Sequence, residues 1–266
     1  MAANPILEKW RAGEPTLGGW MVTDDPQVAE FLAQAGFDEI CVDQQHGLAD
    51  QSTIGALFRA IELHGVAPTT RVPSNDAAMI GKALDLGALA VIVPMVNNAE
   101  EAAHAAAACH YPPRGKRSVG PVRGLQARSS RRLEGLDEVA CVVMIETADG
   151  IRNADAIAAT PGVDCIYIGP GDLAIGLGLS AWGEDWSPEE AGLHAESIRR
   201  IMEACRRHGV VPGIHTGSGA TANRYREQGF QMITTANDLG LLRFGGALEL
   251  AIARGERKEA PQLAPS

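Results

Sequence analysis

ACVVMIETADGIRNADAIAATPGVDCIYIGPGDLA, residues 140–174, contains two uncharged apolar runs, each leading into a carboxylate. Neither run shows the polar alternation of a half-solvated sheet, so both read as strands buried on two faces. Glu146 closes the first run. Asp172 follows the second after Gly169-Pro170-Gly171, and helical patterns lie beyond both. In a closed barrel of parallel strands, chemistry collects at the C-terminal strand ends. Two carboxylates reaching that edge from neighbouring strands repel unless a cation lies between them. Their hard oxygens suit Mg²⁺ or Mn²⁺. Plainer uses are a salt bridge from Glu146 to Arg152 and a helix N-cap at Asp172.

The same strand–helix rhythm extends through the chain. Further strands are expected at 17–22, 37–43, 67–72, 88–96, 210–215 and 230–236, which with 140–146 and 164–169 makes eight. Helices between them are signalled by Asp25-Pro26, by Asp50 or Ser52, by Asn75, by Asn97 or Asn98, and near Asp149, Ser187 and Gly219. Eight alternating units in one chain of this length imply a single (β/α)8 barrel over residues 1–254. An open doubly wound sheet is the alternative, but no GxGxxG follows the first strand. Residues 110–137 and 172–187 interrupt the rhythm as long insertions, the second a lid or subunit contact with two tryptophans. Residues 255–266 read as a disordered tail.

Composition narrows the partners. Hydrophobic residues make up 45% and charged residues 21%, as in a soluble globular protein with a sizeable core. The net charge of -10 argues against nucleic acid or an anionic membrane as the main partner, although basic residues gather at 114–132. Five cysteines, Cys41, Cys109, Cys141, Cys165 and Cys205, lack metal spacing. They read as buried free thiols in a cytoplasmic protein. The N-terminal stretch lacks a signal core, and no apolar run approaches the ~20 residues that cross a bilayer.

Other strand ends add candidates. Asp43 ends the second strand and His46 follows three residues later. Such a histidine is a general base oriented by a carboxylate, or else a surface side chain held by Asp43. Arg71 ends the third strand, placed to bind a carboxylate and stabilise a developing enolate, or to pair within the barrel wall. His215 ends the seventh and should face the pocket. His64, His104, His110, His194 and His208 are expected to be solvated.

The motifs DQQHG (43–47), RVPSND (71–76), GALAVIVPMVNNAEEA (87–102), YPPRGKRSVG (111–120), VMIETADG (143–150) and GVDCIYIGPGDLA (162–174) together resemble the class II pyruvate aldolases of the 4-hydroxy-2-oxoheptanedioate aldolase family. The resemblance runs from about residue 17 to 253. It implies a barrel of the phosphoenolpyruvate/pyruvate type, with the last helix swapped between subunits of a hexamer built from dimers. It implies a divalent cation (Mg²⁺, Mn²⁺ or Co²⁺) on Glu146 and Asp172, acting as a Lewis acid on a keto acid, with reversible cleavage of 2-oxo-4-hydroxy acids through an enolate. His46 would be the base, Arg71 would steady the enolate oxygen, and amides near Gly171 and Asp172 would hold the carboxylate. Asp85 matches an aspartate that tunes the histidine. The strand–helix map puts it at the opposite mouth, so such a contact would need a neighbouring subunit.

Two positions depart from the family pattern. Met144 stands where glutamine is usual, and His215 where an apolar residue is usual. Both imply altered tolerance, including hydroxyketone donors. A malyl- or citramalyl-CoA type lyase on the same fold is an alternative, with 114–132 as its nucleotide groove. A non-catalytic carboxylate-binding barrel is another.

Overall fold

The computed structural model describes residues 4–127, 133–181, 183 and 185–256. The tail from residue 257, residues 128–132 of the basic run, and Trp182 and Glu184 lie outside the described residues. Strands β1 (Thr16–Met21), β2 (Glu39–Asp43), β3 (Ala67–Arg71), β4 (Ala90–Val93), β5 (Ala140–Ile145), β6 (Cys165–Ile168), β7 (Val211–Ile214) and β8 (Met232–Asn237) close into a barrel in chain order. Every neighbouring pair is parallel. The eight expected strands are all present; the first is displaced by one residue and the other seven are shorter. β4 stops at Val93, ahead of Pro94, which has no N–H to give the ladder.

Helices α1 (Pro5–Arg11), α2 (Pro26–Gln34), α3 (Ile54–Glu62), α4 (Ala77–Asp85) and α5 (Ala99–Cys109) come first. The 110–137 insertion contains the short α6 (Val122–Ala127) and α7 (Leu133–Leu136). After β5 come α8 (Ala148–Arg152) and α9 (Ala154–Ala158), and after β6 come α10 (Pro170–Gly176) and α11 (Pro188–His208). The last two are α12 (Gly219–Glu227) and α13 (Asp238–Ala253).

Local signals explain most of the boundaries. The Asp25 side chain caps α2, and Gly36 leaves that helix at φ +84°. Ser187 and Glu190 form a capping box on α11. Two caps differ from expectation. Asp76, not Asn75, accepts from the first amides of α4, while Asn75 turns to the Glu101 carbonyl. At α3 the N-cap is Thr53 without a side-chain bond, because Asp50 is occupied in a turn with Ser52.

The strand alternation sorts side chains into two cores. Outward residues such as Ile40, Val91, Val143, Ile166 and Ile233 pack under the helices. Inward residues Trp20, Cys41, Ile92, Val142, Met144, Tyr167 and Met232 fill the barrel. The unanticipated α1 closes the N-terminal end with Ile6, Leu7 and Trp10, and Asn4 Nδ2 donates to the Leu89 and Glu138 carbonyls. All five cysteines are free and buried, Cys41 and Cys165 in the interior and the other three under the helices.

The last helix is different. Asp238 is the one buried residue of α13, while Leu242 and Phe244 are each 64% exposed. No helix among the described residues is long and apolar enough to cross a membrane.

Candidate active site

Parity along the strands decides what faces the mouth. Inward positions run 18, 20, 22 on β1, 39, 41, 43 on β2, 67, 69, 71 on β3, 142, 144, 146 on β5 and 211, 213, 215 on β7. A cavity of about 260 Å³ at the C-terminal ends is therefore lined by Trp20, Arg71, Met144, Glu146 and His215, with His46, Gly171 and Asp172 arriving from loops. Of the nine candidate residues, only Asp43 and Asp85 do not line it.

Glu146 is 3% exposed, and the Met95 amide donates to its Oε2 at 3.0 Å. Met95 takes a left-handed backbone (φ 59°) to aim that N–H, a strained conformation for a non-glycine residue. Burial, reinforced by the nearby Asp172 charge, raises the Glu146 carboxyl to about 7. Asp172 occupies the first turn of α10, whose N-cap is Gly169, so it is not the cap. A Cβ on Gly169 would lie 2.8 Å from Glu146 Oε1, so the glycine lets the turn close over that carboxylate without displacing it. Arg152 pairs with Asp149 on its own helix and leaves Glu146 to the cavity.

Asp43 lies beneath the cavity wall. Its Oδ1 accepts from Arg71 Nε at 2.9 Å and its Oδ2 from Arg71 Nη2 at 2.5 Å. Burial alone would raise this carboxyl, but the guanidinium holds it below its ordinary range. The Trp20 indole donates to Oδ2 at 3.3 Å, and the guanidinium carbon lies 5.0 Å from the Trp20 ring centroid. Arg71 is thus paired in the wall and presented to the cavity at once.

The expected contact between Asp43 and the His46 ring takes another form. Asp43 Oδ1 accepts the backbone N–H groups of Gln45 and His46, so the carboxylate fixes the loop and leaves the imidazole free. Gly47 makes that turn possible, since a Cβ there would meet the Asp43 carbonyl oxygen at 2.2 Å.

His215 packs edge-on to Trp20 at 4.8 Å, with Nδ1 3.5 Å from the Tyr167 hydroxyl. Tyr167 in turn bonds Thr234 Oγ1 at 2.5 Å. Burial, with the Arg71 charge, lowers His215 to about 4, so its ring is neutral near pH 7. Met144 is buried beside Gly169.

Asp85 lies elsewhere in this chain. It ends α4, accepts from Arg117 Nη2 at 2.7 Å and lines a cleft between α4 and α5. The basic segment is similarly engaged: Arg114 pairs with Asp137 and Arg123 with Glu62. Two histidines expected to be solvated are buried, His110 beside Asp137 and His194 on Pro170. Their burial comes from tertiary packing, which their local patterns do not contain.

The donor set fits a divalent cation. No cluster of three or more His, Cys, Asp or Glu side chains forms a cage among the described residues. Two carboxylates with open positions match the way Mg²⁺-type ions bind, through one or two carboxylates plus water or substrate oxygens. The raised Glu146 carboxyl marks a site short of positive charge, which a cation would supply. Trp20, Val22, Pro170 and Asn237 also line the cavity and were not anticipated. The parity of LGGWMV, with residues 18, 20 and 22 inward, is the signal for the first two.

The model of the HpcH/HpaI aldolase/citrate lyase family matches residues 17–243. A hydroxypyruvate/pyruvate aldolase of Rhizorhabdus wittichii is 36% identical over 94% of this chain and 99% of its own. A 4-hydroxy-2-oxo-heptane-1,7-dioate aldolase of Salmonella typhimurium is 34% identical over 96% of each chain. The crystal structure of an HpcH/HpaI aldolase/citrate lyase family protein from Burkholderia cenocepacia superposes with TM-score 0.85 at 33% identity, covering 95% of this chain and 100% of that one.

Proposed function

The chain belongs to the HpcH/HpaI aldolase/citrate lyase family, and on that premise we infer that it reversibly cleaves 2-oxo-4-hydroxy acids into a pyruvate-type donor and an aldehyde. It is an aldolase, a carbon–carbon lyase. The observation that carries the substrate reading is the convergence of Glu146, Asp172, Arg71 and His46 on one cavity at the C-terminal mouth.

Glu146 and Asp172 would hold a divalent cation, with Mg²⁺, Mn²⁺ and Co²⁺ as the candidates; when bound, the ion supplies Lewis-acid polarisation of a carbonyl. Arg71, locked by Asp43, offers its guanidinium to the C2 oxygen as negative charge develops there. His46 takes the proton of the C4 hydroxyl as the C3–C4 bond breaks. The bond's electrons form the C2–C3 enolate, and the C4 oxygen leaves as the aldehyde carbonyl. Protonation at C3 completes the donor product. The first-turn amides at Gly171 and Asp172 suit the donor carboxylate.

His215 and Met144 bear on donor choice. A neutral His215, tied to Tyr167, can hydrogen-bond a hydroxyl on the donor's C3, which supports hydroxypyruvate beside pyruvate. The exposed apolar face of α13 supports exchange of that helix between copies in a hexamer built from dimers. Asp85 would reach a histidine only from a second copy. Five buried, unpaired thiols support a reducing compartment such as the cytoplasm.

The test is a cleavage and synthesis assay on protein stripped with EDTA and reloaded with each cation. Activity should vanish with chelator and return with the ion, using pyruvate or hydroxypyruvate as donor. Full turnover in excess EDTA would overturn the assignment to Glu146 and Asp172.

A further inference from the structure

His194 is a buried histidine that the proposed chemistry does not use. It lies on α11, 8% exposed, with Nε2 2.9 Å from the carbonyl oxygen of Pro170, the first residue of α10. A carbonyl only accepts, so Nε2 carries its hydrogen toward Pro170. The ring also packs on Trp186, whose centroid is 4.7 Å away at an interplanar angle of 53°. Trp186 is itself fixed, its indole N–H donating to the Ser180 carbonyl at 3.0 Å. Gly183 passes against it at φ +73°, where an added Cβ would come within 3.3 Å of the indole.

The turn held in this way carries the donor site. α10 opens at Gly169, which has no side chain to cap it, so the usual local anchor of a helix start is missing. Two residues after Pro170 comes Asp172, and Gly171 lies between them; both line the cavity. Rotation of that first turn would swing the Asp172 carboxylate away from Glu146. Leu173 and Ala174 bury the opposite side of the helix and Gly176 packs on the end of β5, so the His194 bond adds a directional hold at the first turn.

We propose that His194, clamped by Trp186, is a positioning residue that anchors the first turn of α10 from outside and so sets the direction of Asp172 and the Gly171 amide. The inference rests on the reading of Asp172 as a cation ligand. Outer partners of this kind are worth ~10–100-fold in cation affinity or activity.

The experiment compares wild type with His194→Phe, which keeps a ring against Trp186 but has no donor, and His194→Gln, whose amide can still donate to Pro170. Mn²⁺ affinity is read by electron paramagnetic resonance without substrate, alongside hydrogen exchange of amides 171–174 and the KM and kcat of the donor. H194F should bind Mn²⁺ ~10-fold more weakly, exchange faster in that turn and raise KM more than it lowers kcat, with H194Q closer to wild type. Equal Mn²⁺ affinity, exchange and KM in H194F and wild type, with only thermal stability reduced, would overturn the inference. Wild type that binds no Mn²⁺ would instead overturn the cation reading, and this inference with it. Should H194F fail to fold, Trp186→Leu applies the same readouts to the clamp: loosened exchange and weaker Mn²⁺ binding support the proposal, wild-type values oppose it.

Discussion

His215 and Glu39 are two inward titratable groups at opposite depths of the barrel, and each sets a distinct expectation. His215→Leu removes from the cavity a neutral ring that can hydrogen-bond. It should lower kcat/KM for hydroxypyruvate about 5-fold relative to pyruvate, the scale of one hydrogen bond of ~1 kcal/mol. Competition between the two donors checks it. Glu39 lies at the barrel floor, where burial raises its carboxyl to about 7. The hydrogen bonds agree: Thr16 Oγ1 accepts from Trp10 Nε1 and lies 3.2 Å from both Glu39 Oε1 and the Gln231 carbonyl. The one Thr16 proton serves a single acceptor, so a protonated Glu39 that donates to Thr16 satisfies all three groups. Below pH 4.5 folded and unfolded chains both hold the Glu39 proton, and ionisation costs nothing. Between 4.5 and about 7 only the folded chain holds it, so stability falls as the pH rises, and above about 7 the full cost is present. Glu39→Gln should remove up to about 3 kcal/mol of that fall, measured by urea unfolding at pH 5 and pH 8.

At the scale of elements, α10 is the piece on which the site turns. Gly176 faces the end of β5, and a Cβ there would lie 2.8 Å from the Glu146 carbonyl oxygen and 3.0 Å from Thr147 Cα. These are backbone atoms that cannot swing aside. Gly176→Ala should therefore push α10 off the strand end, part Asp172 from Glu146 and weaken Mn²⁺ binding about 10-fold in a calorimetric titration. Most strands are readable from the sequence as apolar runs with a charge, proline or glycine at the end, and β5 and β6 mark the mouth. Asp172 is legible as a strand-end carboxylate, but its role in the helix is not: the sequence offers it as the N-cap, whereas the helix starts earlier, from Gly169. α1 is not legible in the sequence for a related reason. PILEKWR is too short for periodicity, and Ile6, Leu7 and Trp10 acquire meaning only against the barrel floor. The local pattern puts His194 in solvent because nothing around it in the sequence announces Pro170 and Trp186. Sequence pattern reports which face a residue takes within its own element, and the partner comes from the closure of the barrel.

For the whole molecule, α13 is an apolar helix with little of its own barrel beneath it. Leu242 and Phe244 expose surface that a single 28.0 kDa chain leaves in water. Leu242→Lys with Phe244→Glu should reduce the number of subunits measured by light scattering while the barrel's circular dichroism is kept. If Asp85 acts from a second copy, turnover should fall with the assembly. The buried thiols add a property of another kind. A thiol reagent in water meets none of the five while the fold is closed, so the folded protein should label at the rate at which it opens. Cys109, Cys141 and Cys205 lie under the helices and report loosening of the outer layer. Cys41 and Cys165 lie inside the sheet and report its breach. Mass spectrometry of the order in which they react would give two clocks on one chain, without any substitution in it.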